Sequence, residues 1–156
     1  MRAVVILHNI RSVYNVGSIF RTADAAGVEK IFLCGYTPAP IDRFGRERSD
    51  FTKVSLGAEK SVPWEHRKTL APILTKLKQE NYVVLAIEQS KHSISLFDYT
   101  LPKNKPVALI LGNEVRGLSQ ASLKHADQIL EIPMHGSKES LNVSVAAGIA
   151  LFTLLR

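Results

Sequence analysis

The chain has 156 residues, of which 46% are hydrophobic and 22% charged, a composition typical of a globular domain and unlike a disordered or fibrous protein. A chain of this length buries a sizeable core without metals or disulfides, so we expect a single domain over residues 1–156. Its 20 Lys and Arg exceed its 14 Asp and Glu, for a net charge of +6, which favours a polyanionic partner such as nucleic acid but does not establish one.

The location predicted from the sequence is the cytoplasm. The apolar start at residues 3–7 is too short for a signal peptide, and no apolar stretch reaches the roughly 20 residues that span a bilayer. We therefore expect no membrane partner. The single cysteine, Cys34, has no partner for an internal disulfide and is predicted to be a buried thiol.

Short apolar runs and stretches of helical spacing alternate along the chain. The runs predict buried strands at residues 3–7, 31–34, 82–87, 107–111 and 128–132, and the spacing predicts helices at 16–26, 66–80, 119–125 and 142–155. This alternation is typical of an α/β fold with a mainly parallel sheet flanked by helices on both faces. Residues 35–63 are expected to be one long irregular region, and such loops are usually functional or mobile.

The last predicted helix has almost no polar face. A helix that is apolar all round must be buried all round, and in so short a chain this favours a homodimer formed through the C-terminal helix. A fully internal position for the helix is the alternative.

Three clusters of polar residues and glycines follow predicted strands, where open α/β sheets hold ligands. The first, at residues 8–27, contains Asn15 and Arg21, which we expect to converge only if Asn15 lies outside the helix. The alternative is that Asn15 only caps the helix, Gly17 relaxes the turn and Arg21 is solvated.

The second cluster, at residues 111–119, has two glycines around Asn113 and Glu114. It predicts either a tight turn whose backbone approaches a ligand or a surface turn that ends with Ser119 as a helix N-cap. In the third cluster, at residues 132–144, either Ser140 or Asn142 serves as the N-cap of the last helix.

Other chemistries lack their usual signatures. The sequence has no glycine-rich dinucleotide fingerprint, P-loop or nucleophile elbow. No metal is predicted, because the histidines show no zinc-ligand spacing; they are His8, His66, His92, His125 and His135.

Together the clusters resemble the three motifs of the SpoU family of RNA ribose methyltransferases, within the SPOUT superfamily. The matching patterns are N-x-G-x-x-x-R, then G-N-E-x-x-G-L after a strand, then I-P-M with S-L-N-V-S-x-A, and they cover nearly the whole chain. The resemblance implies a C-terminal trefoil knot, an exception to ordinary chain topology. It also implies a homodimer whose active site is completed across the interface.

The resemblance further implies that S-adenosylmethionine donates a methyl group to a ribose 2′-hydroxyl of tRNA or rRNA, leaving S-adenosylhomocysteine. By position, the cofactor contacts are Ile87, Gly112, Ile132, Ser140 and Leu141. The residues implied for catalysis are Arg21, with Asn15 orienting it and the ribose, Glu114 holding a nearby basic group, and Ser140 and Asn142 shaping the pocket.

Relatives often carry a separate RNA-binding domain, so in this chain we expect the catalytic domain itself to contact RNA phosphates. The residues assigned to those contacts are Arg11, Arg43, Arg46, Arg48 and Lys53. Family accounts make Arg21 a general base, but a guanidinium with a pKa above about 12 does not deprotonate in proteins. We therefore expect Arg21 to clamp a phosphate and stabilise the developing alkoxide. The alternatives are a methyltransferase acting on a base nitrogen and a catalytically silent RNA-binding module.

Overall fold

A computed structural model describes residues 2–156, and its centre is a seven-stranded sheet in which every pairing is parallel. The spatial order of the strands is β3-β2-β1-β6-β4-β7-β5. Their bounds are β1 Ala3–His8, β2 Lys30–Cys34, β3 Trp64–Arg67, β4 Val83–Ile87, β5 Ile94–Ser95, β6 Val107–Leu111 and β7 Gln128–Glu131. The predicted α/β class and mainly parallel sheet are confirmed.

Helices cover both faces of this sheet. They are α1 Val13–Ala25, α2 Ser49–Ser55, α3 Ala58–Ser61, α4 Ala71–Gln79, α5 Gln120–Leu123 and α6 Val143–Leu154, with a 3-10 turn at Leu96–Asp98. Within residues 2–156, none of the helices combines the length and the hydrophobicity that crossing a bilayer requires.

Alternate side chains along the strands enter two separate hydrophobic cores. On one face, Leu7 and Leu109 pack with α1, α2, α3 and α6, and on the other, Ile6 and Ile110 pack with α4 and α5. Cys34 lies in the second core, and burial raises the pKa of its thiol to about 12, with a smaller contribution from the nearby Glu65 carboxylate. The predicted buried thiol is thus confirmed.

Two predictions about the middle of the chain are wrong. Residues 35–63 are not one irregular region, because α2 and α3 form within them. Phe51 of α2 is fully buried, and its ring meets that of Phe20 edge to face at a centroid distance of 5.2 Å. Residues 66–80 are not all helical either, since Trp64–Arg67 pairs with β2 as an edge strand and α4 begins only at Ala71.

The C-terminal helix is only half buried in a single chain. Ala147, Ala150 and Leu151 pack into the core, whereas Val145 is 49% exposed and Phe152 56% exposed. The alternative of a fully internal last helix is therefore wrong. An apolar strip of α6 faces outward.

Candidate active site

The parallel sheet brings the carboxyl ends of all strands to one edge, and the three sequence clusters follow β1, β6 and β7 there. Ligands of open α/β sheets bind at this edge.

Asn15 lies inside the first turn of α1, where it is only 6% exposed. The residue that caps the helix is Ser12, whose hydroxyl accepts a hydrogen bond from the Asn15 backbone N–H at 3.1 Å. The interpretation of Asn15 as a simple cap is therefore wrong. Its buried carboxamide does not cap the helix and instead bonds to residues of the other motifs.

The loop between Gly112 and Gly117 forms a tight turn directly after β6. Asn113 closes it, because its side-chain oxygen accepts from the backbone N–H groups of Val115 at 2.9 Å and Arg116 at 2.8 Å. Gly117 has a φ of +65°, and a Cβ there would collide with the Glu88 carboxylate. Ser119 does cap the short α5, so both features expected of this segment occur together.

Asn142, rather than Ser140, is the N-cap of α6. Its side-chain oxygen accepts from the Ser144 backbone N–H at 2.9 Å, which satisfies one of the free amides of the first helical turn. Its side-chain nitrogen donates to the carboxamide oxygen of Asn15 at 3.1 Å. The third motif is thereby joined to the first.

Glu114 joins the second motif to the first. Its carboxylate accepts from the backbone N–H groups of Arg11 and Ser12, each at 3.2 Å, and from the Asn15 side-chain nitrogen at 3.4 Å. Partial burial disfavours its charge, but hydrogen bonds from its own amide and these three groups outweigh that effect and lower the pKa of Glu114. Glu114 is thus an anionic acceptor, and Asn15 links it to Asn142.

A cavity of about 310 Å³ opens beside this network, within the size range of small-ligand sites. All five residues assigned to the cofactor line it, together with Glu114. Its walls come from the end of β4, the turn after β6 and the segment after β7. The structure therefore brings together Ile87, Gly112, Ile132, Ser140 and Leu141.

Four carboxylates line the cavity, those of Glu88, Glu114, Glu131 and Glu139. Among the described residues, no basic side chain lines it. Apolar walls with excess negative charge suit a ligand that combines an apolar part with a positive charge. A metal is a poorer match, because no group of three His, Cys, Asp or Glu within residues 2–156 is placed to hold one.

Two residues of this site had no motif to reveal them. Glu88 follows β4 and accepts from the Leu118 backbone N–H at 2.9 Å, and Gln89 donates its side-chain amide to the Glu139 carbonyl at 2.7 Å. They connect the loop after β4 to the other two walls. Glu and Gln are common at strand ends, so the residue types carried no signal. Only their position directly after a predicted strand pointed to the site.

Arg21 is not brought to this cavity within one chain. It lies on the exposed surface of α1, is not among the lining residues, and makes no side-chain hydrogen bond or ion pair in residues 2–156. Asn15 is buried inside the same helix, so the condition for convergence with Arg21, that Asn15 lie outside the helix, is not met.

The residues assigned to RNA fall into two groups. Arg11 lies at the site, through its backbone contact with Glu114. The other four belong to residues 43–53, where Arg46 pairs with Asp42 at 2.8 Å and Arg48 with Asp50 at 3.0 Å. The pKa of Asp42 is lowered chiefly by the hydrogen bond from the Arg46 backbone N–H, and that of Asp50 chiefly by hydrogen bonds from the Arg48 side chain. Arg43 and Lys53 are exposed.

The fold is shared with solved structures of RNA-modifying enzymes. The structure described as an AdoMet-bound rRNA methyltransferase from Sinorhizobium meliloti superposes with a TM-score of 0.87 at 30% identity, covering 97% of this chain and 55% of that one. The A. aeolicus TrmH/SpoU tRNA modifying enzyme gives a TM-score of 0.83 at 29% identity, with coverage of 98% and 73%.

The chain belongs to the SpoU rRNA Methylase family, whose model matches residues 2–152. The 23S rRNA (guanosine-2′-O-)-methyltransferase RlmB of Escherichia coli (strain K12) is 34% identical over 154 residues, which is 98% of this chain. The chain spans 59% of the length of that relative. The family expected from the three motifs is therefore confirmed.

Proposed function

We propose that the protein transfers a methyl group from S-adenosylmethionine to a ribose 2′-hydroxyl of RNA. The observation that carries this proposal is that the three family motifs meet in one hydrogen-bonded network beside the cavity, where Asn15 joins Glu114 to Asn142. The S. meliloti neighbour is described as AdoMet-bound and RlmB as a guanosine-2′-O-methyltransferase. Both descriptions agree with this chemistry.

The cavity fits the cofactor on three counts. Its volume of about 310 Å³ suits a nucleoside-sized ligand, Ile87, Ile132 and Leu141 supply apolar walls, and the surrounding carboxylates favour a cation. When bound, S-adenosylmethionine would supply an activated methyl group on a positively charged sulfur. The five lining residues assigned to it would hold it through side chains and the backbone of the 112–117 turn.

The protein's own groups position the acceptor and manage its proton. Asn15 is fixed by Glu114 on one side and Asn142 on the other, so its carboxamide is oriented before RNA arrives. We propose that Arg21 clamps a phosphate and stabilises the developing alkoxide, with the proton leaving to a phosphate oxygen or to water. In this scheme Arg21 keeps its proton and its positive charge throughout.

We propose that Arg21 reaches the site from a second subunit and that α6 forms the dimer interface. The outward strip of Val145 and Phe152 is apolar, and α6 packs directly on α1, since a Cβ at Gly148 would lie 3.6 Å from Thr22. Arg21 is the neighbour of Thr22. A partner packed on this face would therefore have Arg21 at the interface.

We further propose that residues 132–142 pass through a loop, which gives the C-terminal trefoil knot. Strand β7 lies between β4 and β5, so the connection at residues 88–93 has to cross β7 near Leu130, with which Ile94 also pairs. Gln89 of that connection bonds to Glu139.

RNA would approach from the strand-end edge, and we propose that Arg11, Arg43, Arg46, Arg48 and Lys53 contact its phosphates. All of them are exposed except Arg48, which is partly exposed, and the net charge of +6 also supports this assignment. Replacing Arg43 and Lys53 with alanine should reduce the salt dependence of RNA binding, and an unchanged slope would count against it. We place the reaction in the cytoplasm, with tRNA or rRNA as the substrate.

Product analysis tests the proposed function. The protein is incubated with labelled S-adenosylmethionine and total tRNA or rRNA, and the RNA is digested to nucleosides. A 2′-O-methylnucleoside is the expected product. A base-methylated nucleoside would instead support the alternative nitrogen chemistry, and the absence of any transfer despite RNA binding would support a silent module.

A further inference from the structure

An exposed aromatic side chain, Tyr36, stands beside the cavity on the same edge of the sheet. Tyr36 is 55% exposed. Its hydroxyl accepts a hydrogen bond from the Asn113 side-chain nitrogen at 3.0 Å. Asn113 itself lines the cavity. A large aromatic ring is thus held at the mouth of the site while much of its surface faces solvent.

The orientation of Asn113 is fixed by the turn that it closes. Its oxygen accepts from the Val115 and Arg116 amides, so its nitrogen must face the opposite way, toward the Asn9 carbonyl at 2.9 Å and the Tyr36 hydroxyl. Because the Asn113 nitrogen only donates, Tyr36 accepts there. The position of the ring is therefore coupled to the second motif.

The backbone of Tyr36 is anchored as firmly as its hydroxyl. Its N–H donates to the Asn9 side-chain oxygen at 3.2 Å. On one side, Gly35 has a φ of +64° and takes up a position where a Cβ would collide with Asn9. On the other side, the buried Thr37 hydroxyl donates to the Leu7 carbonyl at 2.9 Å. The ring is a pre-organised platform rather than a loose surface residue.

The surroundings of this platform are basic. Strand β3 ends next to Gly35, whose N–H donates to the Arg67 carbonyl at 3.0 Å and whose carbonyl lies 2.8 Å from the His66 ring. Arg67 and Lys68 are both exposed there, and the Arg67 guanidinium also pairs with Glu65 at 2.8 Å. Arg11 lies on the cavity side, where its amide bonds to Glu114. An exposed aromatic face between basic side chains matches the way proteins bind single-stranded nucleic acid.

We propose that Tyr36 is a base-stacking residue that receives an unpaired nucleobase of the RNA, with Arg67 and Lys68 contacting the adjoining phosphates. This inference rests on the proposed function, because it names how RNA is presented to that site. The expected partner is a single-stranded RNA segment, since a base within a duplex offers no face to the ring.

The test measures binding of a fluorescein-labelled 12-nucleotide single-stranded RNA of mixed sequence by anisotropy at several salt concentrations. Tyr36→Leu removes the π-face and is expected to weaken binding about 5- to 100-fold. Tyr36→Phe keeps the face and should stay within about threefold of wild type. Phe97→Leu is the matched control, an exposed aromatic beside β5 at the opposite end of the sheet, and should change nothing.

The salt dependence separates stacking from charge. Tyr36→Leu should lower affinity with an unchanged salt slope, whereas Lys68→Ala should reduce the slope. Equal losses in Tyr36→Leu and Tyr36→Phe would overturn the proposal, because they would assign the effect to the Asn113 hydrogen bond. Wild-type affinity in Tyr36→Leu, or no binding of the probe by the wild type, would overturn it as well.

Calorimetry with S-adenosylmethionine keeps this inference distinct from the proposed function. Tyr36→Leu should bind the cofactor as the wild type does, and a loss of cofactor binding would show a structural role instead. If the wild type binds RNA through Tyr36 but binds no cofactor, the methyltransferase proposal fails while the stacking platform stands.

Discussion

The Asn142 side-chain nitrogen donates to the Asn15 carboxamide oxygen at 3.1 Å, across 127 positions of sequence. Asn142 also caps α6 through its oxygen. One side chain therefore fixes the start of the C-terminal helix and the orientation of a residue implied in catalysis.

These two tasks of Asn142 can be separated by mutation. Asn142→Ala loses both and is expected to lower the free energy of unfolding by about 1 kcal/mol and to reduce methyl transfer. Asn142→Asp keeps a good cap but cannot donate to Asn15, so stability should stay near wild type while methyl transfer falls at least about tenfold. Urea titration and a methyl-transfer assay measure the two effects. Full activity in the aspartate variant would show that the Asn15 contact is dispensable.

Gly117 holds the turn of the second motif in a conformation that other residues rarely adopt. Gly117→Ala places a Cβ at a φ of +65° and against the Glu88 carboxylate, which should cost roughly 1–3 kcal/mol of stability and weaken cofactor binding. Gly136→Ala is the control, because a Cβ there meets nothing within 4 Å. If both variants match the wild type in thermal melting and calorimetry, the turn is not constrained as described.

Glu114 should stabilise the fold in a pH-dependent way. Its native pKa is lowered from the ordinary value of 4.5, so its contribution is present above that value and is lost as the pH falls through the lower native pKa. Glu114→Gln should therefore be less stable than wild type at pH 7, on the order of 1 kcal/mol after solvent screening.

The gap between wild type and Glu114→Gln should close below about pH 4.5. Denaturant titrations across pH 3 to 7 measure it. Glu47→Gln, at an exposed ion pair with Lys60, should show almost no gap at any pH. A difference in unfolding free energy between wild type and Glu114→Gln that grew as the pH fell would contradict this prediction.

Arg21 is expected to matter for chemistry and not for stability. Because its side chain is exposed and makes no hydrogen bond or ion pair within residues 2–156, Arg21→Ala should alter stability by less than about 0.5 kcal/mol while abolishing most methyl transfer. Arg21→Lys should also lose most turnover, since an ammonium lacks the planar fork of the guanidinium. Near wild-type turnover in Arg21→Lys would contradict the proposal that the guanidinium clamps a phosphate.

Mixed dimers test whether Arg21 acts across the interface. Subunits carrying Arg21→Ala are co-expressed with subunits carrying Ala146→Phe, which fills the cavity, and the mixed species is isolated with two affinity tags. If the site is shared, one intact site remains and activity should be about half of wild type. An inactive mixed dimer would place Arg21 and the cavity in the same subunit.

Motif order and strand position predicted that five separated residues would meet at one candidate site. The five assigned cofactor residues line one cavity because motifs that end neighbouring parallel strands meet at one edge. Two things were not predictable from pattern. Strand β3 reads Trp-Glu-His-Arg and has no apolar run, since it lies at the sheet edge. Asn15 is buried by contacts with distant motifs, which no local pattern encodes.

Calorimetric titration with S-adenosylmethionine tests the central claim most directly, that this cavity is the cofactor site. The wild type and the control Ala121→Phe, exposed on α5 across the sheet, should each bind one equivalent per chain, and Ala146→Phe should bind none while melting like the wild type. Cofactor binding by Ala146→Phe with wild-type affinity, or no binding by the wild type, would contradict the assignment.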